Sequence, residues 1–237
     1  MKANRFFMTA IFSIIGALAA AQPWMMRPQG PANEFSAMEG TSVLNYNLQM
    51  ERDIHSRAGY GPAFYIFPDS KLDNNQALEL AGKLDLVNII KEYGGRIMVV
   101  NPSSDKWQEQ DLENFRRLIG MGGSPTNVKV IGIGSGATFV NRHLAATDLT
   151  GVIAGIVSID GEPGKICKLP VPAFIGGKNA TKTAKPYQST SDAAPADPLQ
   201  KVVVNTDKKA SLETLFAEAW DKVLSENYRY NNLYRTF

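Results

Sequence analysis

The feature that most constrains this fold is an alternation of short apolar runs with amphipathic stretches. Seven runs, 43–46, 63–67, 96–100, 128–131, 152–158, 172–175 and 201–204, are bounded by turn residues. Most are continuously apolar rather than alternating, as strands are when both faces of their sheet are covered. Between several of them the apolar period changes to three and four residues. Asp73 and Gln76 have the spacing of a capping box. After them Ala77, Leu80, Ala81, Leu84, Val87 and Ile90 predict one helix ending at Gly94-Gly95. Leu112, Phe115, Leu118 and Ile119 mark a second helix, ended by Gly120 and Gly122. A third begins near Gly136, with Ala137, Val140, Leu144 and Ala145. A fourth begins near Ser211, with Leu212, Leu215, Phe216, Ala219, Trp220 and Leu224. Strands alternating with helices imply crossover connections and a mostly parallel sheet. The predicted architecture is an α/β sandwich in one domain, with helices on both faces.

The two ends and one internal stretch stand apart. Lys2 and Arg5 precede a short apolar run from Phe6 that exits through Ala19-Ala20-Ala21. That is the pattern of a secretory signal peptide, too short to span a bilayer. The expectation is export, secreted or periplasmic, with cleavage near Ala21 and no membrane span remaining afterwards. Residues 22–40 lack periodicity and read as an extended segment before a domain at 41–237. Residues 178–200 are polar with almost no apolar period and read as a long, disordered loop. The tail from Tyr228 to Tyr234 is rich in aromatics suited to docking a terminal helix on the domain.

Composition excludes several function classes. The 237 residues include one cysteine and two histidines, His55 and His143, which leaves no disulfide framework and no ligand set for a metal centre. Cys167 is expected to pack as a small hydrophobe. Asp105, Asp111 and Glu113 suit the start of a helix rather than a metal site. The formal net charge is +2. Loss of Lys2 and Arg5, two of the 25 bases, leaves 23 against 23 acids. Without a basic face, nucleic acid is not an expected partner.

Chemistry concentrates in the segment from Val128 to Phe139, where an apolar run enters Gly132-Ile133-Gly134-Ser135-Gly136 and then a helix. Three chemistries use such a turn. Gly132, Gly134 and Ala137 have the dinucleotide-binding spacing, but two strand–helix units precede them, and Asp160 follows Ala137 by 23 residues. An anion cradle built from the amides of residues 134–137 would need no catalytic side chain, and Arg142 is the one nearby base. The nucleophile elbow, G-x-Nu-x-G, fits the strand–turn–helix context. On this motif the chain resembles the α/β-hydrolase superfamily, and within it the secreted esterases similar to polyhydroxybutyrate depolymerases. The resemblance covers roughly residues 62–180, with a weaker match at 219–231.

That resemblance implies a catalytic serine, then an acid, then a histidine in chain order. This chain departs from it at all three places. The nucleophile position is Gly134, and Ser135 comes one residue late, where capping the helix is its expected role. After the 172–175 run stand Gly176-Gly177-Lys178-Asn179-Ala180, with no carboxylate, and no histidine follows His143. Pro68-Asp69-Ser70 stands where such esterases place His-Gly.

The reading is an exported, esterase-like α/β-hydrolase-fold protein without the catalytic triad. It would bind an ester- or carbohydrate-like small molecule, or a partner, and needs no cofactor. Its cleft is expected at the carboxyl ends of the strands, around Asp69, Ser70, Gly132, Gly134, Gly136 and Asn179. The alternative is an active carboxylic-ester hydrolase with Ser135 as nucleophile.

Overall fold

The computed structural model describes residues 35–38, 41–46, 62–93, 95–121, 127–149, 152–193 and 201–225. The expected signal peptide, His55 and the aromatic tail lie outside them. Eight strands form one sheet: β1 (Phe35–Met38), β2 (Thr41–Tyr46), β3 (Ala63–Phe67), β4 (Arg96–Val100), β5 (Val128–Ile133), β6 (Ile153–Ile159), β7 (Ala173–Gly176) and β8 (Val202–Asn205). Their spatial order is β1-β2-β4-β3-β5-β6-β7-β8. The β1–β2 and β2–β4 pairs are antiparallel and every other pair is parallel. All seven apolar runs are strands, within a residue or two at either end. β1 is an addition, inside the segment expected to be extended.

The alternation of side chains assigns the layers. From β3, Tyr65 and Phe67 point to one face and Phe64 and Ile66 to the other. The first face is covered by α3 (Gln110–Met121), α4 (Ser135–Phe139) and α5 (Ala180–Ala193). The second is covered by α1 (Asn74–Lys83), α2 (Leu86–Tyr93) and α6 (Leu212–Ala219). π-helical turns, Val140–Leu144 and Trp220–Leu224, continue α4 and α6 directly. Phe67 packs edge-on to Phe115 and tilted against Phe139 and Trp107, with ring centroids 5.1, 5.7 and 5.3 Å away. Deleting so large a buried ring costs about 3–5 kcal/mol, so this cluster anchors the first face.

Two expectations about helices are corrected. The single helix over residues 74–93 is two, because Asp85 takes a left-handed φ of +53°. Its amide bonds back to Gly82, and its carboxylate accepts from Asn88 at 2.6 Å, so one aspartate ends α1 and starts α2. Aspartate tolerates that conformation better than most residues, so the left-handed position itself carries no glycine, and Gly82 lies three residues earlier inside α1. The loop expected at 178–200 is helix α5 over Ala180–Ala193. Its buried stripe is Ala180, Thr183, Ala184 and Tyr187, at helical spacing but made of small and polar residues. Hydrogen bonds dock it: Thr183 Oγ1 donates to Gly161 O (3.0 Å), Tyr187 Oη to Asn141 Oδ1 (2.9 Å), and Thr190 Oγ1 to Cys167 O (2.6 Å). Burial pushes the Tyr187 phenol well above its usual range, keeping the proton it donates.

Candidate active site

The sheet register brings the carboxyl ends of five strands into line. Phe67 pairs with Gly132, Ile133 with Ile159, Ile159 with Gly176, and Gly176 with Asn205. The turns after β3, β5, β6, β7 and β8 therefore open on one edge, where ligands of open α/β sheets bind.

The turn after β5 is a strand-to-helix elbow. Gly134 has φ +56° and ψ −118° and starts α4. A side chain there would be strained, and an elbow uses that strain to lift its nucleophile into the open. The flanking glycines allow close packing. A Cβ on Gly132 would come 2.6 Å from Ala137 Cα, and one on Gly136 would come 2.0 Å from Phe67 O. α4 thus starts directly against the end of β3.

At Gly134 the space for a nucleophile side chain is filled from another element. A Cβ there would lie 2.1 Å from Asp69 Oδ1 and 2.5 Å from Asp69 Cγ. The same Oδ1 accepts a hydrogen bond from the Ser135 amide at 2.6 Å. In an elbow the amide after the nucleophile is an oxyanion-hole donor. Asp69, from the turn after β3, thus fills the space that a side chain at residue 134 would take and holds the Ser135 amide. The Ser135 hydroxyl donates to the Asp69 backbone carbonyl. It makes no helix cap, contrary to expectation, because Gly134 is the N-cap and Ser135 is already inside the helix. Ser70 is exposed on the same turn.

The other positions of a hydrolase site are occupied differently. After β7, Gly177 has φ +94°, and a Cβ on it would lie 2.2 Å from Asp160 Oδ1. Asp160, itself left-handed at φ +56°, accepts from the Lys178 amide at 2.9 Å and so ties the β6 and β7 turns together. The spacing of Asp160 from the glycine-rich turn gives no sign of this bracing role. Asn179 donates to Glu162 Oε1 at 2.9 Å and belongs to this second turn cluster, not to the Asp69–Ser135 contact. The turn after β8 folds on its own side chains, with Asn205 Oδ1 accepting from the Asp207 amide at 2.8 Å. His143 lies on the π-helical turn, stacked on Phe139 at 5.5 Å, and Phe139 stacks on Trp107 at 4.9 Å. Ser135, bonded to Asp69, and His143, stacked on Phe139, are not joined as nucleophile and base.

Cys167 is buried, and burial pushes its thiol up. Asp111 is buried and accepts from the amides of Ser103 (3.0 Å) and Gln108 (2.8 Å), which folds the loop before α3. Among the described residues no group of three or more His, Cys, Asp or Glu is placed to hold a metal ion. No helix among them is long and apolar enough to cross a membrane.

An open depression of about 550 Å³ lies on the far side of the Asp69 turn, lined by Ser42, Lys71, Leu72, Asp73, Asn74, Asn75 and Asn101. It is bounded by the β3–α1 turn and the end of β4. Buried Asn101 holds that turn, accepting from the Leu72 amide at 3.0 Å and donating to the Leu72 carbonyl at 2.8 Å.

Solved structures share this architecture. An α/β-hydrolase enzyme, MGS-M1, from a Medee basin deep-sea metagenome library superposes with a TM-score of 0.52 at 14% identity, over 86% of this chain and 95% of that one. The chain has the α/β-hydrolase fold. A phospholipase/carboxylesterase from Dyadobacter fermentans superposes at 0.50 and 12% identity, over 81% of this chain and 99% of the other. No family model and no curated protein matches the sequence. On this α/β-hydrolase frame the turn from β5 into α4 carries a positive-φ glycine, Gly134, packed against Asp69.

Proposed function

We propose that this chain is an exported, non-catalytic protein on the α/β-hydrolase fold, derived from esterases similar to polyhydroxybutyrate depolymerases. In this reading it binds a small molecule or a partner instead of hydrolysing an ester. One observation carries it: the Asp69 carboxylate stands where a nucleophile's side chain would project and holds the Ser135 amide. An acyl-transfer site needs that amide free for the developing oxyanion and a base beside the nucleophile. Here a carboxylate already sits on the donor, and its negative charge would repel an oxyanion. The asparagines, Ser42, Lys71 and Asp73 of the depression beside the Asp69 turn would offer donors and acceptors to a small-molecule ligand, and Leu72 an apolar contact.

The test is hydrolysis of short-chain nitrophenyl esters by the purified protein beside its Ser135→Ala variant. The expected result is equal, background-level turnover by both. Turnover by the native chain that disappears in Ser135→Ala would establish the active-esterase alternative and sink this proposal.

A further inference from the structure

Among the described residues the sheet ends on β8, and none of them pairs with its outer edge. The amides of Ala173 and Gly177 donate to the carbonyls of Lys201 and Asn205. In a parallel ladder both polar groups of one residue face the same way and successive residues alternate. Residues 201, 203 and 205 therefore face β7, while the N–H and C=O groups of Val202 and Val204 face outward. Among the described residues no hydrogen bond uses these four groups. The side chains are held from above and below, Val202 and Val204 by the core of one face and Val203 by that of the other. Such an edge, apolar, without proline and without an inward charge, is a template for another strand.

We propose that the occupant is β8 of a second copy of this chain, antiparallel about a two-fold axis at Val203. The edge is self-complementary in a way a chance partner need not be. Placing Val203 opposite itself sets Val202 opposite Val204 of the other copy, so each pair exchanges two N–H···O bonds and all four outward groups of each copy are satisfied. The same register sets Lys201 opposite Asn205, so no like charges meet. Lys201, Val203 and Asn205 point to the face of α6, where Asn205 Nδ2 donates to Glu218 Oε2 at 2.5 Å. Lys201 forms no ion pair among the described residues, and across the axis its ammonium faces Asn205 and Glu218, whose Oε1 already holds Lys222 at 2.6 Å. The two sheets become one, continuous through β8. This inference is independent of whether the elbow is active.

The experiment is the mass of the full chain by light scattering, with variants chosen from the register. The native chain is expected as a dimer. Val204→Pro removes an outward N–H that β7 does not use, as edge strands tolerate, so the dimer should be lost while circular dichroism and the melting profile of the monomer persist. Val203→Cys should give a covalent dimer on mild oxidation, because that pair sits about 4.5 Å apart between Cα atoms, within disulfide reach. Asn205→Cys alone should not, since its opposite number is Lys201. A monomeric native chain would overturn the proposal. So would a dimer that survives Val204→Pro, or one that Asn205→Cys links and Val203→Cys does not.

Discussion

Replacing Gly134 by alanine probes the contact on which the functional reading rests. The new Cβ would meet Asp69 Oδ1 at 2.1 Å, closer than any real contact allows. Asp69 is exposed, so its side chain can swing into water, losing its bond from the Ser135 amide. Holding a non-glycine residue at this φ costs about 1–3 kcal/mol. The lost amide–carboxylate bond adds about 1 kcal/mol, below the usual range for charged groups because water screens it. Gly134→Ala should thus cost about 2–4 kcal/mol, and Asp69→Ala alone about 1 kcal/mol. Once Asp69→Ala has removed the carboxylate, adding Gly134→Ala costs only the backbone strain. The double variant should be more stable than the sum of the singles predicts by about 1 kcal/mol. Urea unfolding of all four proteins at pH 7 measures the difference. Additivity to within ~0.5 kcal/mol would refute the reasoning, because it would mean that Asp69 and the Gly134 side-chain volume do not share one space.

Other expectations follow from single contacts. Asp73 both accepts from the Gln76 amide and has its own amide capped by Gln76 Oε1; Asp73→Ala should cost about 1 kcal/mol and lower Tm by about 2–4 °C, read by thermal unfolding. Tyr187→Phe leaves buried Asn141 Oδ1 without its donor and should cost about 1–3 kcal/mol; an unchanged stability would remove α5 from the core. The Cys167 thiol, held above its ordinary pKa by burial, should resist alkylation in the native protein at neutral pH and react promptly in denaturant. Its native labelling should accelerate only above the usual thiol range, and fast labelling at neutral pH would contradict its burial.

How much of this was legible in the sequence depended on how each element is stabilised. The strands β2 to β8 announce themselves because continuous Val, Ile and Phe runs are what a sheet covered on both faces requires. α1 did so through Asp73 and Gln76, whose capping box is present in full. Helix α5 did not, because its inward stripe is Ala, Thr, Ala and Tyr, held by hydrogen bonds to Gly161, Asn141 and Cys167 that no periodicity encodes. The break at Asp85 was silent for a similar reason, since the left-handed position itself is an aspartate and not a glycine. In the site, the glycine spacing marked the tight strand-to-helix turn at Gly134, and Asp69 was among the residues expected near it. Its role could not be read, because 66 residues separate it from Ser135 and only the β3–β5 register brings the two turns together. Asp160, 18 positions before the Lys178 amide that it accepts from, was hidden in the same way.

The central claim is that the elbow holds no activated nucleophile. The most direct test is to incubate the native chain with a fluorophosphonate and read the intact mass. The predicted result is no adduct. A stoichiometric adduct mapping to Ser135, and absent from Ser135→Ala, would contradict the claim by showing that this hydroxyl is activated despite the carboxylate on its amide.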